Sequence, residues 1–252
     1  QVLVAIDFSG CSLNALERAI SISQKAEADI QMAFVIKPES TREMFTEGTQ
    51  TLGSMVKDRF DELIEKYHPA MGRQKLTYTI AEGKIYREIV KLAEHKDVFL
   101  VMVGTHGASG FEEFWIGSNA YRIVTHAPCP VITIRGGVNI QKDLRRIVLP
   151  VDSTPETRQK VPFTSYMAGI FNAEVHILSI YTTEVHDIRM MVDGYSEQVM
   201  KHLEEDNVRY VLEKLPCDNL TDATIEYAHK VDANLISIMT EQEKSTKNLL
   251  LG

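Results

Sequence analysis

The sequence predicts an α/β protein built from two tandem, doubly wound, five-stranded parallel-sheet domains, the second lacking its last helix and strand. Two observations predict this class: apolar runs alternate with amphipathic segments, and the chain repeats itself. Val2–Asp7 returns 145 residues later as Ile147–Asp152. Further along, the offset falls to 135, so that Ala93 matches Ala228. A net deletion of ten residues in the second copy explains the change of offset.

The repeat predicts two domains of ordinary size, residues 1–138 and 144–252. Gly136-Gly137-Val138-Asn139 and the four residues after it are rich in turn formers and polar side chains. Such a stretch between two similar copies is typical of a linker.

Each element of the first copy follows from its pattern of apolar residues. Leu13, Leu16 and Ile20 recur at helical spacing, and Val98–Val103 is a continuous apolar run typical of a buried strand. Alternating strands and helices imply a parallel sheet covered on both faces. The pattern predicts strands over residues 2–7, 30–36, 75–81, 98–103 and 131–135, and helices over 12–26, 42–68, 85–96 and 118–126.

Net charge and the length of the apolar runs argue against several classes of function. The chain carries 35 acidic against 27 basic residues, a formal net charge of −8, which argues against nucleic-acid or anionic-membrane partners. No apolar run approaches the roughly 20 residues that a transmembrane helix needs. With no visible signal peptide, although the chain begins at Gln1, we expect a cytoplasmic protein.

Isolated cysteines and histidines predict neither a disulfide framework nor a metal site. Cys11, Cys129 and Cys217 are far apart and form no CxxC pair, so we expect small buried or half-buried residues. The eight histidines are scattered singly, without ligand spacing.

The most informative stretch is Gly104-Thr105-His106-Gly107, nine further residues, and Gly117-Ser118. It follows the buried strand and precedes a helix for which Ser118 is the predicted N-cap. Glycines at a strand's carboxyl end and a serine at a helix start place backbone N–H groups where they can face an anion. Ligands of doubly wound sheets bind beyond these strand ends, where the strand order reverses. Asp7 and Val35 are predicted to lie at such ends as well.

This segment resembles the nucleotide loop of the universal stress protein family, G-x2-G-x9-G-(S/T), and the resemblance extends over both copies. It implies that the first domain binds ATP, or else ADP or AMP, accompanied by Mg²⁺. In this picture Asp7 hydrogen-bonds the adenine side, Val35 packs on adenine, and the loop holds ribose and phosphates. The implied binding residues are Ala5, Asp7, Ser9, Val35, Val103, Gly104, His106, Gly107, Gly117, Ser118 and Asn119.

Each of these roles has a structural alternative. Asp7 at a strand-to-helix turn can cap the helix instead, and Val35 can be ordinary core. The glycines can form an ordinary tight turn. His106 has no Ser-His-Asp or Cys-His partners in the sequence, so we predict no catalytic residue. One common form of the family carries Arg after the second glycine, where this chain has Ala108. We therefore expect binding mainly through backbone donors.

The second copy departs from the loop. At the later offset Met239 stands in place of Gly104, Gln242 in place of Gly107 and Gly252 in place of Gly117. A methionine side chain would fill space that a nucleotide needs, so the second domain is predicted not to bind one.

The expected function is a stress-response regulatory protein that binds an adenine nucleotide without efficient turnover. Two alternatives stay open: a slow ATPase or nucleotidyl-transferring enzyme, and a dimerisation module without nucleotide. No Walker G-x-x-x-x-G-K-[ST] motif is present, which disfavours the enzyme. In proteins of the family the final strands of two domains pair, so the resemblance implies that the apolar strand at Val131–Ile134 pairs between the domains, in a homodimer, or both.

Overall fold

A computed structural model describes residues 1–37, 52–105, 116–136 and 143–240 of the chain. The chain divides into two compact units near residue 140. Each unit contains one all-parallel sheet with helices between its strands, which confirms the predicted fold class.

The first unit holds a five-stranded sheet in the order β3-β2-β1-β4-β5. Every neighbouring pair is parallel, so the strand order reverses between β1 and β4. The strands are β1 (Val2–Ala5), β2 (Ile30–Ile36), β3 (Leu76–Glu82), β4 (Leu100–Gly104) and β5 (Val131–Ile134). The helices are α1 (Gly10–Ala26), α2 (Leu52–Met71), α3 (Ile85–Ala93) and α4 (Ser118–His126).

Helices cover both faces of this sheet, which explains why its strands are apolar runs rather than alternating ones. α3 and α4 bury Ile89 and Ile123 against one face, in a cluster that includes Leu3 and Val101. α1 packs along β1 and β4, and α2 packs beside α1 and β3. The predicted apolar stripe of α1 is buried at Leu16 and Ile20.

Several predicted boundaries differ from the structure: the strand predicted over 98–103 is Leu100–Gly104, and the helix predicted over 85–96 ends at Ala93. The first strand ends at Ala5 rather than Asp7, because the Asp7 amide donates to the Ser12 hydroxyl oxygen instead of to the sheet. Ser118 is the first residue of α4 rather than its N-cap; Gly117 takes that position. Of the predicted helix over 42–68, residues 42–51 lie outside the described part, and the described helix runs on to Met71.

The second unit holds a four-stranded sheet in the order β8-β7-β6-β9. Its strands are β6 (Arg146–Val151), β7 (Glu174–Tyr181), β8 (Tyr210–Pro216) and β9 (Leu235–Ile236). Its helices are α5 (Val161–Phe171), α6 (His186–Glu205) and α7 (Leu220–Lys230), and a short 3-10 helix, Pro155–Arg158, precedes α5. Each strand matches its counterpart in the first sheet, β6 with β1, β7 with β2, β8 with β3 and β9 with β4.

Candidate functional site

The carboxyl edge of the first sheet brings together residues that are far apart in sequence. β1 and β4 are neighbours, with Val4 paired to Met102. Asp7, two residues after β1, and Gly104, the last residue of β4, therefore lie at the ends of adjacent strands, where the strand order reverses. This is the place where doubly wound sheets bind their ligands.

Asp7 is exposed and fixed by a tight turn at the end of β1. Its Oδ1 accepts the Ser9 amide N–H at 3.0 Å and the Ser9 hydroxyl at 2.6 Å. Ser9, not Asp7, is the N-cap of α1, and its hydroxyl oxygen accepts the Ser12 amide N–H at 3.3 Å. The bonds to Ser9 use Oδ1, and no contact of Oδ2 is seen among the described residues, whereas Ser9 has its hydroxyl engaged in the turn.

The same turn recurs in the second unit. Asp152 Oδ1 accepts the Thr154 amide at 2.9 Å and the Thr154 hydroxyl at 2.5 Å, and the Asp152 amide donates to Thr157 Oγ1 at 3.3 Å. Asp152 and Asp7 thus accept the same pair of hydrogen bonds. The turn alone is consequently a property of the fold and does not by itself define a ligand site.

Phe8, between Asp7 and Ser9, is a feature that the sequence did not reveal. Its φ of 61° lies in the left-handed region, which is rare for a bulky residue. The ring centroid is 5.4 Å from that of Phe34 and 5.2 Å from that of Phe60, and the Arg59 guanidinium lies 5.0 Å from it. Aromatic packing on the α1 and α2 side holds the strained backbone in place. Ser153 stands at the matching position of the second unit.

Three of the predicted site residues contribute to one apolar cluster beneath this edge. Val35 is 8% exposed and Val103 6% exposed, and the two belong to a cluster with Ala120 from the first turn of α4. Ala5 packs against the same cluster and is half-buried. Both valines are core residues, as the structural alternative for Val35 predicts. Together with the small residues Ala5 and Ala120 they form what we call the apolar floor.

Position 104 requires glycine because the first turn of α1 lies against it. A Cβ at this position would lie 2.8 Å from the backbone carbon and the Cβ of Cys11 and 2.9 Å from the Ser12 nitrogen. Its φ is outside the left-handed region. The contact with the first turn of α1 is therefore sufficient to require glycine here, and the approach of a ligand to Gly104 stays a prediction.

The start of α4 is the element that the loop spacing predicts to face an anion. Gly117 donates its amide to the Thr105 carbonyl oxygen at 2.7 Å and so is already engaged. Ser118 and Asn119 begin the helix, and amides of a first turn have no carbonyl partner within the helix. Those two amides and the helix dipole can face a negative charge.

His106, Gly107 and Ala108 lie outside the described residues, as do Gln242 and Gly252. The predicted roles of His106 and Gly107 stay predictions. Met239, the counterpart of Gly104, is described: it follows β9 in an irregular segment and is half-buried.

Cys129 is half-buried. Burial raises the pKa of the Cys129 thiol to about 11, which makes it a weak nucleophile at neutral pH. Within residues 1–37, 52–105, 116–136 and 143–240, no group of three His, Cys, Asp or Glu side chains is placed to hold a metal ion. In the same ranges no helix has both the length and the apolarity to traverse a lipid bilayer.

Fold and edge together define an α/β protein with two tandem doubly wound units, the first carrying a candidate ligand site where its strand order reverses. The model of the universal stress protein family matches residues 1–135, which is more than half of the chain. The chain therefore belongs to the universal stress protein family.

Two universal stress proteins are similar in sequence to about half of this chain. Over 138 residues the chain is 28% identical to a universal stress protein of Methanocaldococcus jannaschii, covering 54% of this chain and 81% of the relative. Over 145 residues it is 26% identical to a universal stress protein of Bacillus subtilis, covering 54% of this chain and 98% of the relative.

Solved structures show the likeness over both units. A universal stress protein from Archaeoglobus fulgidus superposes with a TM-score of 0.71 at 16% identity, covering 98% of this chain and 92% of that one. A protein of unknown function from Pseudomonas aeruginosa superposes with a TM-score of 0.59 at 16% identity, covering 93% of this chain and 79% of that one. At these identities the likeness establishes the shared fold.

Proposed function

We propose that the first unit binds an adenine nucleotide, ATP with Mg²⁺ in the first instance, and that the protein acts as a stress-response regulator without efficient turnover. The observation that carries the proposal is the convergence of Asp7, the floor of Val35 and Val103, and the start of α4 at one edge of the sheet. These groups come from four separate parts of the sequence.

The described residues fit such a ligand. The floor offers apolar surface and the small side chain of Ala5 for a planar base. The free oxygen of Asp7 can accept a hydrogen bond from a base or ribose, and the amides of Ser118 and Asn119 can face phosphates. Mg²⁺ would be held by phosphate oxygens rather than by a protein cage, in keeping with its usual role beside nucleotides.

The arrangement favours binding over catalysis. Asp7 is held by two hydrogen bonds from Ser9, and we assign it a role in recognition. Rapid hydrolysis needs a residue that positions the attacking water and cations that stabilise the transferred phosphoryl group. The site as described rests on amides, one carboxylate and an apolar floor. We propose slow turnover at most.

Calorimetric titration of ATP, ADP and AMP into the full chain, with and without Mg²⁺, tests the proposal. Asp7→Ala should weaken ATP binding about tenfold or more, the effect of losing a hydrogen bond to a polar ligand group. Asp152→Ala is the matched control, because it disrupts the same turn in the second unit and should leave binding unchanged.

Two results would overturn the proposed nucleotide binding without efficient turnover. Absence of ATP binding at millimolar concentration, with no nucleotide released from the heat-denatured protein, would favour a dimerisation module. Steady hydrolysis that His106→Ala abolishes would favour the enzyme. The cytoplasmic location and the pairing of final strands stay predictions; β5 is the outer strand of its sheet, which such pairing requires.

A further inference from the structure

The turn at Asp7 and its counterpart at Asp152 share their hydrogen bonds but not their backbone conformation. In the first unit the middle residue of the turn, Phe8, has a φ of 61°. In the second unit the middle residue is Ser153, whose φ is not positive, although Asp152 accepts the same pair of hydrogen bonds as Asp7. The left-handed conformation is therefore not required by the turn itself.

The sign of this φ bears on the direction of the Asp7 carboxylate. An aspartate that accepts an amide two residues on closes a ring like that of a β-turn, and β-turns of different type differ in the φ of their central residues. When the middle residue changes hand, the same bond is kept only if the dihedral angles of the aspartate change too. Since Oδ1 is fixed by Ser9, the conformation of Phe8 determines where Oδ2 points.

An aromatic cluster holds Phe8 in this conformation. Its ring centroid lies 5.4 Å from that of Phe34 in β2 and 5.2 Å from that of Phe60 in α2. Phe60 is fully buried and stacks on Tyr78 of β3 at 4.7 Å, with 10° between the ring planes. The Arg59 guanidinium lies 5.0 Å from the Phe8 ring. These contacts offset the steric cost of a left-handed conformation in a bulky residue.

The second unit has lost both members of the central aromatic pair. At the 145-residue offset Phe8 and Phe34 correspond to Ser153 and Ser179. The Ser179 hydroxyl is instead bonded to that of Ser196 at 2.6 Å. The strained backbone and the rings that hold it thus occur together in the unit that carries the candidate ligand site. Strained residues that are held by their surroundings cluster at functional sites.

The aromatic cluster lies on the face of the sheet opposite to the apolar floor. Phe34 and Val35 are successive residues of β2, so their side chains point to opposite faces. Val35 belongs to the apolar floor, which packs with residues of α3 and α4, whereas Phe34 contacts the rings on the α2 side. The Phe8 ring therefore lies outside the surface proposed for the base and can act on a ligand only through its own backbone.

We propose that Phe8 is a positioning residue for nucleotide recognition in the first unit. Its ring, held by Phe34 and Phe60, keeps the backbone left-handed, and this conformation aims Oδ2 of Asp7 at the nucleotide. The inference rests on the proposed function of this unit.

Calorimetric titration of ATP with Mg²⁺ into the full chain tests the proposal with two variants that both lose the ring. Serine is the residue of the second unit, whereas glycine adopts a φ of 61° without steric cost. Phe8→Ser should weaken ATP binding about tenfold, as Asp7→Ala does, and Phe8→Gly by about threefold at most. If the ring served packing alone, glycine would be at least as harmful as serine. Binding by Phe8→Gly as weak as that by Phe8→Ser would therefore overturn the proposal.

A double variant shows whether Phe8 acts through Asp7. Phe8→Ser combined with Asp7→Ala should bind ATP within about twofold of Asp7→Ala alone, because the carboxylate to be positioned is already absent. Losses that multiply would contradict the assigned role. Ser153→Ala, at the matching position of the second unit, is the control and should leave ATP binding unchanged.

Failure of this inference is distinguishable from failure of the proposed function. ATP binding that Asp7→Ala weakens and Phe8→Ser leaves unchanged would overturn the role of Phe8 alone. Absence of ATP binding by the unsubstituted chain would overturn the proposed function and this inference with it. Thermal unfolding shows which variants are folded at the temperature of the titration. Phe8→Leu, which keeps an apolar side chain in the aromatic cluster, replaces Phe8→Ser with the same expectation if the serine variant does not fold.

Discussion

The amide N–H of Gly117 donates a 2.7 Å hydrogen bond to the carbonyl oxygen of Thr105. Thr105 in turn donates its own amide to the Ile134 carbonyl oxygen in β5 at 2.9 Å. The residue after β4, the N-cap of α4 and the last strand are thereby tied together. The start of α4 is thus fixed by the sheet itself, and the amides proposed to face phosphates are oriented before any ligand arrives.

The tight contact of Gly104 with α1 predicts a stability effect. Gly104→Ala would place a methyl group 2.8 Å from the Cys11 backbone, which cannot rotate away. We expect the free energy of unfolding to fall by about 2–3 kcal/mol, the upper range for overpacking. Urea denaturation of the full chain, followed by circular dichroism, measures this.

Gly169→Ala is the control for that substitution. Gly169 lies within α5 and has nothing within 4 Å of the added methyl group. Alanine there should raise the free energy of unfolding by about 0.5–1 kcal/mol through helix propensity. Equal effects of the two substitutions would show that the contact with α1 is not the reason for glycine at position 104.

The matching turns at Asp7 and Asp152 predict that equivalent substitutions lower the free energy of unfolding by different amounts. Ser9 bonds to Asp7 and also caps α1, whereas Thr154 bonds to Asp152 and its side chain makes no cap hydrogen bond. Ser9→Ala should therefore destabilise by about 1 kcal/mol more than Thr154→Ala, the usual value of an N-cap. Chemical denaturation of both variants measures the difference. A larger loss in Thr154→Ala would contradict the cap assignment.

Two buried hydroxyls in the second unit, those of Ser179 and Ser196, predict that replacing one serine by alanine destabilises the protein more than replacing the other. Ser179 and Ser196 oxygens are 2.6 Å apart, and the Ser196 hydroxyl donates to the Val192 carbonyl oxygen at 2.8 Å. Ser196→Ala leaves the buried Ser179 hydroxyl without its acceptor and should cost about 1–3 kcal/mol. Ser179→Ala keeps the bond to Val192 and should cost less. The double variant, measured in the same denaturation series, gives their coupling; strict additivity would show that the pair does not interact.

Lys160 predicts a pH dependence of stability. Burial lowers its pKa from 10.5 to about 8 in the folded chain, so between these values the unfolded chain binds more protons. Stability conferred by this residue therefore rises as pH increases from about 8 to 10.5. Lys160→Met should raise the free energy of unfolding by about 1–3 kcal/mol at pH 7, and the gain should shrink towards pH 10.5. Denaturation at pH 7 and pH 10 checks this; a gain that is independent of pH would contradict a charged, desolvated amine.

The alternation of strands and helices was predictable from the sequence, because the local spacing of apolar residues determines which segments form strands and which form helices. The apolar run Val98–Val103 predicted a strand covered on both faces, of which residues 100–103 lie in β4, and the internal repeat predicted the second unit. The end of β1 was not predictable, because the Ser12 hydroxyl competes with the sheet for the Asp7 amide.

The site was predicted in part. The sequence indicated Val35, Val103 and the start of α4, and the structure brings them to one edge. It gave no sign of the left-handed Phe8, since that conformation depends on Phe34 and Phe60, far away in the chain. Nor did it show that Gly104 is required by α1, because the approach of a helix to a strand end is a tertiary property.

The contact between Gly104 and Cys11 has a mechanical consequence. Since no gap separates the end of β4 from the first turn of α1, neither can be displaced without pushing the other. The end of β4 and the first turn of α1, which follows directly on the turn that carries Asp7, are therefore expected to move together as one rigid element.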